Sequence, residues 1–195
     1  MLKKNMVQNF SMIKLKNIIE RINPRGVEVR ELQTPEEEDM ASDFMKKHYI
    51  GKDVKSINIR LGIFLNGRMI GIIAYGAPTF AGLARQLGLE SREVVELRRL
   101  FIEEVPVHNI ESQVISMGNE ELKNLKPDVK AVVTYADPSA GHLGTIYQAT
   151  NAIYAGKSKG QYGKHKYLYL LGNSREKKQT LSRIRIQPQS YPKRD

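Results

Sequence analysis

Two strand-like runs, 57–65 (INIRLGIFL) and 69–75 (MIGIIAY), face each other across Asn66-Gly67. Asn-Gly is the dipeptide that a two-residue hairpin turn favours, because both central residues take positive φ. An antiparallel hairpin therefore lies early in the chain, and the later strands have to extend its sheet. A strand is predicted over 94–102 (VVELRRLFI), then a helix that Asn109 can cap and that runs to about Asn124. A largely apolar, hence central, strand comes next over 130–137 (KAVVTYAD), then a helix from about Ala140 or Gly141 to Thr150. A hairpin leading into a β-α-β-α block predicts an α/β (α+β) domain with a mixed central sheet and helices on both faces.

The remaining elements fit around that core. Residues 27–32 (VEVREL) alternate as a strand. Thr34-Pro35-Glu36-Glu37 then starts a helix reaching about His48, with Thr as N-cap, Pro in the first turn and acids beside the positive helix end. Residues 80–89 form a connection with a helical turn, and last strands fall near 152–155 and 166–171. The predicted organisation is a basic N-terminal segment (1–25), a catalytic domain (26–172) and a basic C-terminal tail (173–195). The first segment has helical spacing at Met12, Leu15, Ile19 and Ile22.

Charge is distributed unevenly. The net charge is +10, made of +5 over residues 1–25, −4 over 26–155 and +9 over 156–195. Basic ends on an acidic centre suit a polyanion, and Tyr162, Tyr167, Tyr169 and Tyr191 among the C-terminal cations offer rings on which bases could stack. A solvated surface explains the same charges without a partner. The absence of cysteine excludes disulfides and thiolate metal sites and fits a reducing cytoplasm. No apolar run reaches the ~18 residues of a membrane span, and no secretory signal is read at the N-terminus. The four histidines are scattered, so no metal site is expected.

The polar stretch 134–151, TYADPSAGHLGTIYQATN, comes after the central strand. Ligands gather outside strand ends in open α/β sheets, so Asp137 is a candidate site residue; a helix N-cap is the alternative. Arg99 shares a strand face with Val95, Leu97 and Phe101 if the strand alternates regularly, and a charge there requires an acid or an anionic ligand. His142 could carry a proton, and Tyr135 lies one position off the face of Asp137. His48, Tyr49 and Tyr75 end elements on the substrate side and could stack a base. Gly141 and Gly144 serve a turn or close packing.

The order of elements resembles the GNAT acyltransferase fold. A closer resemblance is to the phage Mom-type DNA-modification proteins, a divergent GNAT branch. It rests on Glu96-Leu97-Arg98-Arg99-Leu100, Asn109-Ile110-Glu111-Ser112, Tyr135-Ala136-Asp137-Pro138 and the run from Gly141 to Asn151 (GHLGTIYQATN), and covers roughly residues 45–170. The resemblance implies a cofactor split between the fourth and fifth strands, with Ser112, Phe101 and Asn109 near an acetyl-CoA-type donor. It implies Tyr147 as general acid to the leaving group, Asp137 near the adenine amino group and Arg99 fixing an anion. It implies double-stranded DNA as partner, a carbamoylmethyl-type change at adenine N6, and protection of phage DNA from host restriction. An acetyl-CoA-dependent N-acetyltransferase acting on a small-molecule or protein amine is the alternative.

The sequence departs from the GNAT pattern at two places. The phosphate loop has no glycine; 103–109 reads EEVPVHN. Asn151 stands where the pattern has Gly, which a left-handed helix end tolerates, but Ala152 replaces an aromatic residue.

Overall fold

The computed structural model describes residues 26–47, 57–158 and 163–193. Among them, one sheet runs in the order β1-β2-β3-β4-β5-β7-β6. Its strands are β1 (Val27–Glu31), β2 (Ile57–Leu65), β3 (Arg68–Gly76), β4 (Val94–Ile102), β5 (Ala131–Ala136), β6 (Ile153–Lys157) and β7 (His165–Leu170). The helices are α1 (Pro35–Lys47), α2 (Leu83–Leu87), α3 (Ile110–Leu125), α4 (Thr145–Ala149) and α5 (Ser174–Arg183). The sheet is mixed: β4 and β5 pair in parallel, every other pair is antiparallel. The predicted segment 1–25, His48, Tyr49 and Tyr162 lie outside the described residues.

The hairpin forms where expected, with Leu65 opposite Arg68 and positive φ at Asn66 (51°) and Gly67 (81°). Helices cover both faces of the sheet. α3 packs its apolar stripe, including Val114, Ile115 and Leu122, on Leu61, Ile73, Leu97 and Val132. On the other face, α1 covers Phe64, Met69 and Ile72, while α2 covers Val94, Ala131, Val133 and Leu168.

A bulge in β4 corrects the expected side-chain alternation. Ala74 pairs with Arg99 and Tyr75 with Leu97, which leaves Arg98 as an extra residue. An extra residue reverses the alternation beyond it. Val95, Leu97, Leu100 and Ile102 therefore pack on the α3 side, and Phe101 packs on the α1 side. Arg99 shares a face with Phe101, not with Val95 and Leu97.

The helix predicted from 140 to 150 is also shorter. Pro138–Ala140 is a 3-10 turn, and left-handed Gly141 and Gly144 (φ 75° and 79°) separate it from α4. At Gly144 the Tyr167 ring fills the space a side chain would need. Asn151 ends the helical segment with φ 59°, the left-handed conformation expected of it. Asn109 precedes α3, but with φ 55° and no capping bond from its side chain.

The C-terminal tail carries an element the sequence reading did not assign. Asn173 and Glu176 form a reciprocal capping box at the start of α5. Arg183 then makes two bonds to buried Glu93, at 2.8 and 2.6 Å. Beyond it, Ile184 and Ile186 pack on the α2 face, Gln189 N–H donates to the Tyr154 carbonyl, and the Tyr191 hydroxyl donates to the Ala152 carbonyl. Tyr167 and Tyr169 are buried in the core rather than offered to a base.

Candidate active site

β4 and β5 pair only over Val94–Glu96 and Ala131–Val133. Beyond that point β5 keeps its other neighbour, with Thr134 opposite Tyr167 and Ala136 opposite His165. The two parallel strands thus separate on one side, and a cavity of about 690 Å³ occupies the gap. Its walls come from both faces of the sheet: Leu97, Leu100 and Ile146 from the α3 side, Arg99, Phe101 and Tyr135 from the other.

Asp137 closes β5 and lines this cavity. One carboxylate oxygen accepts from the Ser139 N–H (3.0 Å) and the Ser139 hydroxyl (2.5 Å), and the other meets Lys164 Nζ at 3.1 Å. The Ser139 hydroxyl is the chief cause that holds this carboxyl below its ordinary value; burial opposes it, and Lys164 adds a further lowering. The capping role foreseen as the alternative is therefore present: Asp137 caps the 3-10 turn and also faces the cavity. Lys164 was not legible in the sequence. It lies beside Asp137 only because β7 inserts next to β5, which places His165 opposite Ala136.

Tyr147 lines the same cavity from α4, half-buried, its ring 5.3 Å from that of Tyr167. The Tyr167 hydroxyl donates to the Leu143 carbonyl, and Gln148 Nε2 donates to the same hydroxyl at 3.2 Å. The core tyrosine thereby fixes the turn from which α4 starts. Arg99 is buried at the bulge and lines the cavity, donating to the Arg98 carbonyl at 3.1 Å. Phe101, stacked on Phe44, and His142 also line it. So does Tyr135, whose phenol is pushed up to about 12, mainly by burial and further by Glu96.

Three other candidates lie elsewhere. Tyr75 is fully buried under α3, its hydroxyl 3.2 Å from Asn119 Oδ1, so it is a core residue and not a stacking platform. Ser112 and Asn109 do not line the cavity. The sequence reading missed Lys47, which does, and Glu111, read there only as part of the family resemblance, lines it too.

The site residues fit an acyl-type arm better than a whole coenzyme A. Leu97, Leu100, Ile102 and Ile146 give the gap an apolar stretch. At the α3 end, a diphosphate needs backbone N–H groups that glycine leaves open. Here the loop has none, Val107 N–H is spent on the Val105 carbonyl at 2.8 Å, and Glu111 lines the cavity in the first helical turn. A carboxylate at that place repels phosphate, so these residues do not fit a coenzyme A diphosphate.

Residues 32–164 match the model of the Mom protein family. The methylcarbamoylase Mom of Escherichia phage Mu is 29% identical over 118 residues, covering 60% of this chain and 49% of that relative. The chain thus spans about half the length of the relative. Among solved structures, an acetyltransferase of the GNAT family from Streptococcus pneumoniae superposes with a TM-score of 0.50 at 14% identity, covering 75% of this chain and 99% of that one. An aminoglycoside acetyltransferase solved with coenzyme A gives 0.54 at 14% identity, covering 80% and 99%. At such identities the likeness concerns the fold, and the fold is that of the GNAT acetyltransferases.

Proposed function

The chain belongs to the Mom protein family, and we propose on that footing that it is a transferase that modifies adenine in double-stranded DNA, placing a carbamoylmethyl group on N6. The observation that carries the reading is the gap between β4 and β5, which Asp137, Tyr147 and Arg99 all line. The enzyme would act in the cytoplasm of a phage-infected host and shield phage DNA from restriction.

In the chemical step, the N6 lone pair forms a bond to the methylene carbon of the donor. The bond from that carbon to the leaving atom breaks, and its electron pair departs with the leaving atom. Tyr147 donates its hydroxyl proton to that atom. N6 turns acidic as it gains positive charge, and its proton passes to Asp137. A carboxylate that already accepts from Ser139 and Lys164 is a weak base, so its first task is to accept a hydrogen bond that orients the amino group. Arg99 supplies a fixed positive charge at the bulge for an anionic part of the donor or leaving group. Coenzyme A has no place in this step. Thioester attack would bond N6 to a carbonyl carbon, and the α3 end of the cavity repels its diphosphate.

The split between the parallel strands, as distinct from the loop at its α3 end, favours one second reading, an N-acetyltransferase acting on another amine, since the same fold serves that chemistry in the aminoglycoside enzyme. Mass spectrometry of nucleosides from cells expressing wild type and Asp137→Ala separates the two. A heavier deoxyadenosine present with wild type and absent with the variant is the expected result. Unmodified adenine with soluble, folded wild type, together with acetyl-CoA turnover in the absence of DNA, would establish the second reading instead.

A further inference from the structure

We propose that Phe80 is a wedge: its ring enters the DNA base stack and takes the place left by the adenine drawn into the β4–β5 gap. The idea rests on the DNA-modification reading above. Adenine N6 is engaged in a base pair, so an enzyme that changes it has to work on an extruded or single-stranded base. A base leaving the duplex opens a hole in the stack, and proteins fill or force such holes with apolar side chains.

A single exposed apolar side chain is ordinary on a protein surface, so exposure counts here only together with the place of the residue and the clamping of its loop. Among the described residues, Phe80 is the most exposed large hydrophobic, at 53%. The next, Leu181, belongs to α5, which comes after Leu170 at the end of the sheet away from the gap. Phe80 sits instead in the connection from β3 to β4, three residues before α2. Its neighbour Thr79 is joined directly to Arg98, which lines the cavity.

The ring is exposed on a clamped loop rather than a loose one. Buried Glu96 accepts from the Thr79 N–H at 2.7 Å and from the Thr79 hydroxyl at 3.0 Å, and Arg98 Nη1 lies 3.4 Å from the same carboxylate. A buried carboxylate is costly unless such donors hold it, so these bonds fix the backbone at Thr79. On the other side, Leu83 N–H donates to the Phe80 carbonyl at 2.9 Å, and Leu83 and Leu87 anchor α2 in the core. The ring lies against Gly82, where an added Cβ would come within 2.7 Å of ring Cζ. A rigid wedge loses little entropy on insertion, which is the property a base-displacing residue needs.

The test uses the purified chain, with clarified extract of the cells in which it yields modified nucleoside added as the source of the transferred group. Duplex and single-stranded forms of one adenine-rich oligonucleotide are compared by nucleoside mass spectrometry. Phe80→Ala is expected to slow modification of the duplex by about tenfold or more while changing the single strand by less than about threefold. Phe80→Leu, which restores an apolar side chain, should recover most of the duplex rate. An equal loss on both forms, or no loss on either, would overturn the wedge. Wild type that modifies neither form, with acetyl-CoA turnover intact, would overturn the DNA-modification reading and the wedge with it.

Discussion

The two sides of β4 are held by different means. Toward β3, the strand is laddered along its length, from Gly71 opposite Ile102 to Gly76 opposite Glu96. Toward β5, three residue pairs suffice, and beyond them side chains replace the ladder: Ser139 and Lys164 on Asp137, Tyr167 on Leu143. The laddered side is stable because it is complete. The open side leaves a space, bordered by an apolar stretch and by polar side chains that tie down the turns where backbone partners are missing. Stability and chemistry are thus allotted to opposite edges of one strand.

That division can be broken most forcefully from the laddered side. Ile73→Ala removes a fully buried side chain between β3 and α3 and should cost about 2–5 kcal/mol, read as a lower denaturant midpoint. Modification per folded molecule should be unchanged; a matching loss there would show that the two edges are coupled. From the open side, Tyr147→Phe should reverse the pattern. A lost general acid lowers the rate by about 100-fold, with the midpoint shifted by less than about 1 kcal/mol.

The smallest effect sharpens the comparison away from both edges. Arg30 of β1 donates to Glu37 of α1 at 2.7 and 3.0 Å, and this bond is the main cause that lowers the Glu37 carboxyl from its ordinary 4.5 to about 2. Below 4.5 the unfolded chain binds a proton there while the folded chain does not, so this contribution is complete above 4.5 and is lost as pH falls toward 2. Urea unfolding of Glu37→Gln should therefore show a slightly flatter acid dependence than wild type over that window, and the same modification rate at neutral pH.

What could be read from sequence was local. Asn66-Gly67 set the hairpin because a turn depends on its own two residues, and Asn151 took the left-handed helix end for the same reason. The bulge at Arg98 was hidden, since VVELRRLFI alternates well enough to pass as a regular strand. It moved Arg99 to the other face yet left it in the cavity. Tyr75 was misplaced because an aromatic at a strand end looks alike whether core or surface lies beyond it. α5 had a legible sign in Asn173 and Glu176, outweighed by the charge of the segment. Asp137 was read from its position after β5 and Tyr147 from the family resemblance, and both line the cavity, but Lys164 depended on a strand order that no spacing reveals.

That strand order bears on how the chain is made. β6 leaves the ribosome before β7, yet β7 is the strand that pairs with β5. Until it arrives, the apolar edge of Ala131–Ala136 has no partner on that side, a template for the wrong strand of another chain. β6 cannot protect it without occupying the place of β7. A β6–β7 hairpin that closes first and docks as one unit would cover that edge in a single step, and the faster it closed, the shorter each new molecule would be open to aggregation.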